Sequence, residues 1–452
     1  MSSSAVAGYE MRRLFRDRAV IGLLLLLAAL GTYAAWNGHQ WVGQRMTAIG
    51  LLAAEEQQMQ TRARDFVGKT PSVLPRVQPV LRPAAMAAVS IGQADAYPFT
   101  ADVVALGDAT TLFTRVWADI GSPTARAAGR FDLAFVIVFL LPLILLAVSY
   151  DLWSRERERG VAAMLMAQPV SVGRLLLVKA LARAAVVLLP ATTLLVAAAA
   201  WAGAHDPAGL ACLALIVLGY GSFWLAVAVV IALRARRSTD AAIAAGAIWL
   251  LLVVMAPSLA LAGVDLLAPP PSQMRFATEV KARMAHIAEQ QRQQRVASPA
   301  PVHTPAPTIP DQLRERYADL VAADRQLAPM LADHRRARDA RRRVMDQLRL
   351  LLPAVAAQDA LDRLAGSDAD RALAFQDQVT TFWHQRRRLH QSYLERDAVQ
   401  TLAEYDSLPR FAFREAGNAL SPGVLADLAA LLAATGLALI AARAMRGQAT
   451  SP

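Results

Sequence analysis

Six apolar runs, at residues 19–36, 131–153, 178–202, 209–233, 241–267 and 424–445, constrain this chain more than any other feature. Each is close to the ~20 residues a helix needs to cross the hydrocarbon of a bilayer. Backbone in lipid must satisfy its own hydrogen bonds, so such runs read as helices. With 55% of its residues hydrophobic and a positive mean hydropathy, the chain is too apolar for a soluble globular protein of this length. The sequence predicts an all-α integral membrane protein with six transmembrane helices. A signal peptide competes for the first run, because Arg12, Arg13, Arg16 and Arg18 precede an apolar core. Thr32, Tyr33 and Ala34 make a poor cleavage site, which favours an uncleaved span led by a short amphipathic helix containing Glu10. Pro142 and Pro190 fall inside runs and predict kinks rather than breaks.

Short loops set the orientation. Arginines crowd the N-terminus, the 154–177 segment and the turn holding Arg234, Arg236 and Arg237, whereas the loop at His205, Asp206 and Pro207 has no Lys or Arg. Positively charged short loops stay in the cytoplasm. Both termini are therefore expected on the cytoplasmic side of the cell inner membrane, with two long excursions outside it. The net charge of +11 would suggest nucleic acid in a soluble protein, but here it reads as cytoplasmic excess, and no nucleic-acid partner is expected. The division is a leading helix and first span at 1–37, a first extracytoplasmic region at 38–130, and spans two to five at 131–268 with a cytoplasmic elbow at 154–177. A helical extracytoplasmic domain at 269–420 and the last span and tail at 421–452 complete it.

The first excursion holds a Gln-rich helical piece at 55–65, then Pro71, Pro75, Pro79 and Pro83, which rule out a continuous helix there. The second has a polar helix at 273–296, a Pro-rich extended linker at 298–310, helical sequence from Asp311, and a helix from Pro353 to near Gly366. Ser367 with Asp370 reads as a capping box for a long helix reaching about Tyr405. Its Leu373, Phe375, Val379, Phe382, Trp383, Leu389 and Leu394 recur mostly at three and four residues, which gives one packing side.

The 154–183 stretch, SRERERGVAAMLMAQPVSVGRLLLVKALAR, resembles neither flanking span. Alternating charges from Arg155 to Arg159 break at Gly160, a short amphipathic helix follows, the chain turns at Pro169, and a second short helix carries Arg174 and Lys179 back into apolar sequence. A helix lying on a membrane surface needs one apolar and one charged face, and this segment has both.

This pattern resembles the first cytoplasmic loop of ABC-2 type transporter permeases, in which a Glu-containing helix docks on the ATP-binding subunit. The resemblance gives Glu156 or Glu158 the acidic position, Gly160 the helix break and Pro169 the turn before Arg174. The family often has Thr-Leu after the Gly, where this chain has Val161 and Ala162. The six-span topology matches the same family. Residues 367–398, SDADRALAFQDQVTTFWHQRRRLHQSYLERDA, resemble a subgroup with a large helical extracytoplasmic insertion before the last span. The resemblance implies a permease subunit that dimerises with itself or a sister permease, contacts membrane lipid, and is driven by two ABC ATP-binding subunits. ATP and Mg would be held by those subunits, with no cofactor in this chain.

Motifs for independent chemistry are missing from the sequence. There is no phosphate loop of the Gly-x-x-x-x-Gly-Lys-Ser/Thr form, no His-Glu-x-x-His helix and no Gly-x-Ser-x-Gly elbow. Hence no catalytic residue and no metal site are expected. His384 and His390, six apart on a helix, project to different sides. The lone Cys212 sits in an apolar run and cannot form a disulfide within the chain. The Arg335 to Arg343 run could attract an anionic head group or substrate, but reads better as a solvated face paired with Asp333, Asp339 and Asp346. Asp132, Asp265 and Asp427 fall near the outer ends of spans two, five and six, and Asp427, a turn inside the edge, is a candidate for the pathway. In span five, Ala241, Ala245 and Gly246 would permit close helix packing. Two other readings stand beside the permease. One is an ABC force transmitter acting on an envelope partner without transport, and the other is a membrane-anchored binding or sensor protein.

Overall fold

The computed structural model describes residues 3–69, 74–107, 112–113, 131–160, 164, 172–269, 272–297, 308–415 and 420–445. The leading helix α1 (Ser3–Arg16) is followed by α2 (Arg18–Asp65), whose N-cap Asp17 accepts from the Ala19 N–H. The separate span and Gln-rich helix expected for 19–65 are one helix of 48 residues. No proline interrupts this sequence, and isolated glycines cost only about 1 kcal/mol each in a helix. At 1.5 Å per residue α2 is roughly 70 Å long, far more than a bilayer needs.

The second span begins as α3 (133–149), ends in a turn, and continues into the short α4 (Ser154–Glu158). Then come α5 (Val172–Trp201), α6 (Pro207–Arg234) and α7 (Ser238–Leu267). Beyond them lie α8 (Gln273–Ala297), α9 (Asp311–Arg349), α10 (Pro353–Ala365), α11 (Ala369–Arg396), α12 (Leu402–Asp406) and α13 (Pro422–Ala444). Six helices, α2, α3 with α4, α5, α6, α7 and α13, are long and apolar enough to cross a membrane. The described residues contain only isolated β-bridges, Val77 with Val103 and Val80 with Thr100, so the protein is all-α.

Each proline inside a span follows a π-helical turn. These turns are Val136–Leu140 before Pro142, Ala184–Leu188 before Pro190, and Leu250–Met255 before Pro257. Proline lacks an N–H and its ring crowds the carbonyl four residues back, so a widened turn lets the helix continue. The Val138 carbonyl, four residues before Pro142, accepts from the Tyr220 hydroxyl at 3.0 Å.

The helix α6 is the axis of the bundle and packs on α3, α5 and α13. Its most apolar stretch is 67% buried, against 11% for α7 and 17% for α13, so the latter two turn most of their surface outward. In α7, Ala241 and Ala245 pack inward, while Gly246 has nothing near it.

Two ends can be distinguished. One, the elbow end, holds α1, α4 and the turn between α6 and α7. The other, the insertion end, holds the 74–107 segment and the elements from α8 to α12. There Gly38 meets the Ala88 backbone so closely that a Cβ would lie 2.0 Å from its carbonyl oxygen. The two excursions, expected as separate regions, share one core: Val77, Ala101 and Val103 pack with Phe375, Val379, Phe382 and Trp383 of α11.

The helix α10 departs from its expected place in an outer domain. Ala354, Ala356, Ala357, Ala360 and Leu361 are buried in the main core, and α10 packs on α6 and α13. Four small side chains let its backbone come close to the spans. It ends at Gly366, as expected, with φ +64°. The cap of α11 is Asp368, not Ser367, because Ser367 bonds back to the Asp362 carbonyl. The helix α11 stops at Arg396, where Asp397 adopts φ +48°, so it does not reach Tyr405. That residue lies in α12, which has its own capping box of Thr401 and Glu404.

Candidate functional site

The elbow is built on a buried anchor. Leu152, Trp153 and Ser154 at the end of span two are 0–1% exposed. From that anchor α4 projects for five residues to Glu158, and the turn after it closes at Gly160, whose φ of +72° suits a residue without a side chain. Pro169 lies outside the described residues. Arg174 is exposed, but it sits in the first turn of α5, so the expected second short helix is the beginning of span three itself. No proline or glycine after Gly173 interrupts α5 before Pro190.

Glu156 and Glu158 have opposite surroundings. Two residues apart on a helix, they point roughly 200° from each other. Glu156 forms an ion pair with Lys179 of α5, whose Nζ also donates to the Leu152 carbonyl at 3.2 Å. Glu10 of α1 joins this buried group, 3.8 Å from Lys179 and 3.7 Å from Arg183. Arg183 donates to the Val148 carbonyl at 3.1 Å and lies 3.9 Å from Asp151. Glu158 is exposed and accepts from the Ser238 hydroxyl at 2.8 Å and the Ser238 N–H at 3.3 Å, at the start of span five. Arg157 donates to the Ala235 carbonyl at the end of span four, at 3.3 Å.

Through these contacts a five-residue helix is tied to α1 and to spans three, four and five. Burying several charges together is tolerable only when each finds a partner of opposite sign. The outcome is a stiff joint whose outward side carries Arg155, Glu158 and Arg159. The part played by Arg183 was not foreseen, although it and Lys179, four apart in an apolar helix, were a visible signal that something must pair with them.

At the insertion end, Asp427 of α13 has no exposure and faces Arg349 of α9 at 3.5 Å and Arg363 of α10 at 4.0 Å. Asp359 binds both arginines. Asp132 caps span two, accepting from the N–H groups of Phe135 and Ile91, both at 2.9 Å. In the arginine run, Arg336 pairs with Asp333 as expected, but Asp339 makes no ion pair among the described residues and Asp346 pairs with Arg349. Arg341 reaches Asp265 at the end of span five at 2.6 Å, and Arg342 pairs with Asp370. The run therefore also straps α9 to its neighbours. His384 is exposed and His390 buried, and no three His, Cys, Asp or Glu side chains among the described residues form a group able to hold a metal.

No curated protein matches the chain. The family described as ABC-2 family transporter protein matches residues 4–441, nearly the whole length. Six spans, a charged joint between the second and third, and that match lead to one assignment: the chain belongs to the ABC-2 family of transporter membrane proteins.

Proposed function

We propose that this chain is the permease subunit of an ATP-driven transporter, in which α4 receives the movement of a separate ATP-binding subunit. The observation that carries the reading is the wiring of α4, with Glu156 bound inward to Lys179 and Glu158 bound outward to Ser238. A push on its exposed side would act on spans three, four and five together. On this reading the elbow end lies in the cytoplasm of a cell with an inner membrane, both termini lie there too, and the insertion stands outside. Two ATP-binding subunits hold ATP and Mg, and a second permease, identical or related, completes the complex in the lipid. The acidic docking residue is Glu158, Glu156 serving the joint. A passage role for Asp427 would require its ion cluster, and α9 and α10 with it, to open.

The test is ATP hydrolysis by the co-purified complex in lipid. Glu158→Ala should leave folding intact, since its carboxylate is exposed and contacts at the surface contribute little to stability, yet should lower permease-stimulated hydrolysis severalfold. Unchanged stimulation and transport would remove α4 from the mechanism, and failure of any ATPase to co-purify would point to the sensor reading. The packing of α10 into the insertion end of the bundle favours a second reading, force transmission to an envelope partner. Spans that stay closed in every nucleotide state would select it.

A further inference from the structure

The insertion contains a cleft that the coupling scheme does not use. Its volume is ≈ 630 Å³, within the roughly 300–1,000 Å³ of small-molecule sites. It lies where the end of α2, the 75–82 segment and residues 405–415 come together. The lining is amphipathic. Val77, Pro79, Phe411 and Phe413 supply apolar surface, and Phe411 and Phe413 are fixed by edge contacts to Phe375.

The charges lining the cleft are not balanced. Arg82, Arg371, Arg386 and Arg410 face Glu56, Asp406 and Glu415, four cations against three anions. Every anion is engaged: Glu415 by Arg371 at 2.9 Å, Asp406 by Arg64 at 2.8 Å, and Glu56 by the Gln60 amide at 2.8 Å. The side chains of Arg82 and Arg410 are exposed and form no ion pair among the described residues. Deeper in the lining, Arg386 is 1% exposed and donates through Nη2 to the Pro75 carbonyl at 2.6 Å, while its Nε has no acceptor. Gln78 is 4% exposed and neither atom of its amide has a partner. Buried polar atoms are nearly always paired, so two such groups lining one cleft mark it as more than a packing gap.

We propose that this cleft binds an apolar monocarboxylate, its anion met by the unpaired guanidinium groups of Arg82 and Arg410 and its body lying against Phe411, Phe413 and Pro79. A cation finds no unengaged carboxylate here. A guanidinium presents a planar fork of donors suited to a carboxylate, and the aromatic and proline surface suits an aliphatic or aromatic body. The site concerns the insertion alone and does not rest on ATP coupling.

The experiment is equilibrium dialysis of the full chain in lipid nanodiscs, without an ATPase, against empty nanodiscs. The probes are octanoate, for a membrane-derived chain, and hydrocinnamate, for a soluble aromatic acid. Saturable binding of either supports the site and identifies the source. Octanamide and hydrocinnamamide should bind about tenfold more weakly, as should the acids to the Arg82→Gln/Arg410→Gln double variant, whose unfolding should be unchanged because both side chains are exposed. Ala412→Trp, an exposed position in the lining, should block the cleft. Binding no greater than that of empty nanodiscs, equal binding of acid and amide, or full affinity in the double variant would overturn the proposal.

Discussion

The Nε of Arg349 lies 3.5 Å from Oδ1 of Asp427, joining the end of the longest insertion helix to the second turn of the last span. Asp359 and Arg363 complete the buried part of the group, where Asp427 meets no solvent, and Asp346 on Arg349 and Asp370 on Arg363 stand at its more exposed rim. Removing Asp427 takes a carboxylate from both guanidinium groups and leaves them to share Asp359 inside the group, which should cost about 2–3 kcal/mol, less than the ~3–5 kcal/mol of a fully orphaned buried charge. Asp427→Ala should therefore lower the unfolding midpoint in detergent markedly. Asp427→Leu combined with Arg349→Met should recover much of the loss, because the remaining pair of Asp359 and Arg363 is balanced. A wild-type midpoint for Asp427→Ala would show that the carboxylate does not brace the fold.

At the elbow end, Lys179 stands between Glu10 and Glu156. Lys179→Met would leave these two acids with Arg183 and the more exposed Arg13, 3.9 Å from Glu10, and should destabilise by about 3–5 kcal/mol. Glu156→Gln keeps a hydrogen-bond acceptor and should lose only about 1–2 kcal/mol. Thermal unfolding in one detergent compares the two, and equal losses would contradict the arrangement.

The spans were legible in the sequence because bilayer thickness fixes their length, and the observed helices contain the apolar runs to within a few residues. The alternating charges of 155–159 and the glycine break were equally plain. What could not be read was which helix each charge would meet. Helical period separates Glu156 from Glu158, but only the position of Lys179, 23 residues on, says which one turns inward. Arg342 has Asp339 and Asp346 three and four residues away, yet it binds Asp370, because a tertiary partner at close range competes with exposed pairs on one helix worth only about a few tenths of a kcal/mol. Arg341 has no aspartate at such a spacing and binds Asp265. The helix α10, at 13 residues, is too short to cross a bilayer. Its alanines at 354, 356, 357 and 360 were the available sign that it packs closely against the spans.

Tyr220 tests the account of the proline kinks. Its hydroxyl donates at 3.0 Å to the Val138 carbonyl, four residues before Pro142, the place where an ordinary α-helical bond from residue 142 would end. Tyr220→Phe retains the ring and its edge contact with Trp224 while taking that donor from the carbonyl. The expected loss is about 1–3 kcal/mol, that of an unsatisfied buried polar group. A double variant with Pro142→Ala should lose much less, because an alanine N–H restores the helical bond. If Tyr220→Phe costs the same in both backgrounds, the hydroxyl is not standing in for the bond that Pro142 cannot make.

Asp362 should make stability depend on pH. Burial among Ala360, Leu361 and Leu364 pushes its carboxyl up to about 7, against hydrogen bonds from Ser90 at 2.6 Å and Gln358 at 2.8 Å that favour the anion. Asp132 and Asp359 add to the rise by repulsion. With its folded value raised above the ordinary value of 3.8, the folded state holds this proton more tightly than the unfolded chain does. Its contribution is therefore greatest below the unfolded value, falls as pH rises through the window up to about 7, and is level above it. Asp362→Asn, which stays neutral and keeps the size and an acceptor for Ser90, should remove this slope. Unfolding midpoints of wild type and variant should converge near pH 4 and separate towards pH 8, with the variant higher, by a few degrees or about 1–3 kcal/mol. Parallel curves across that range would show that Asp362 keeps an ordinary acidity in its buried position.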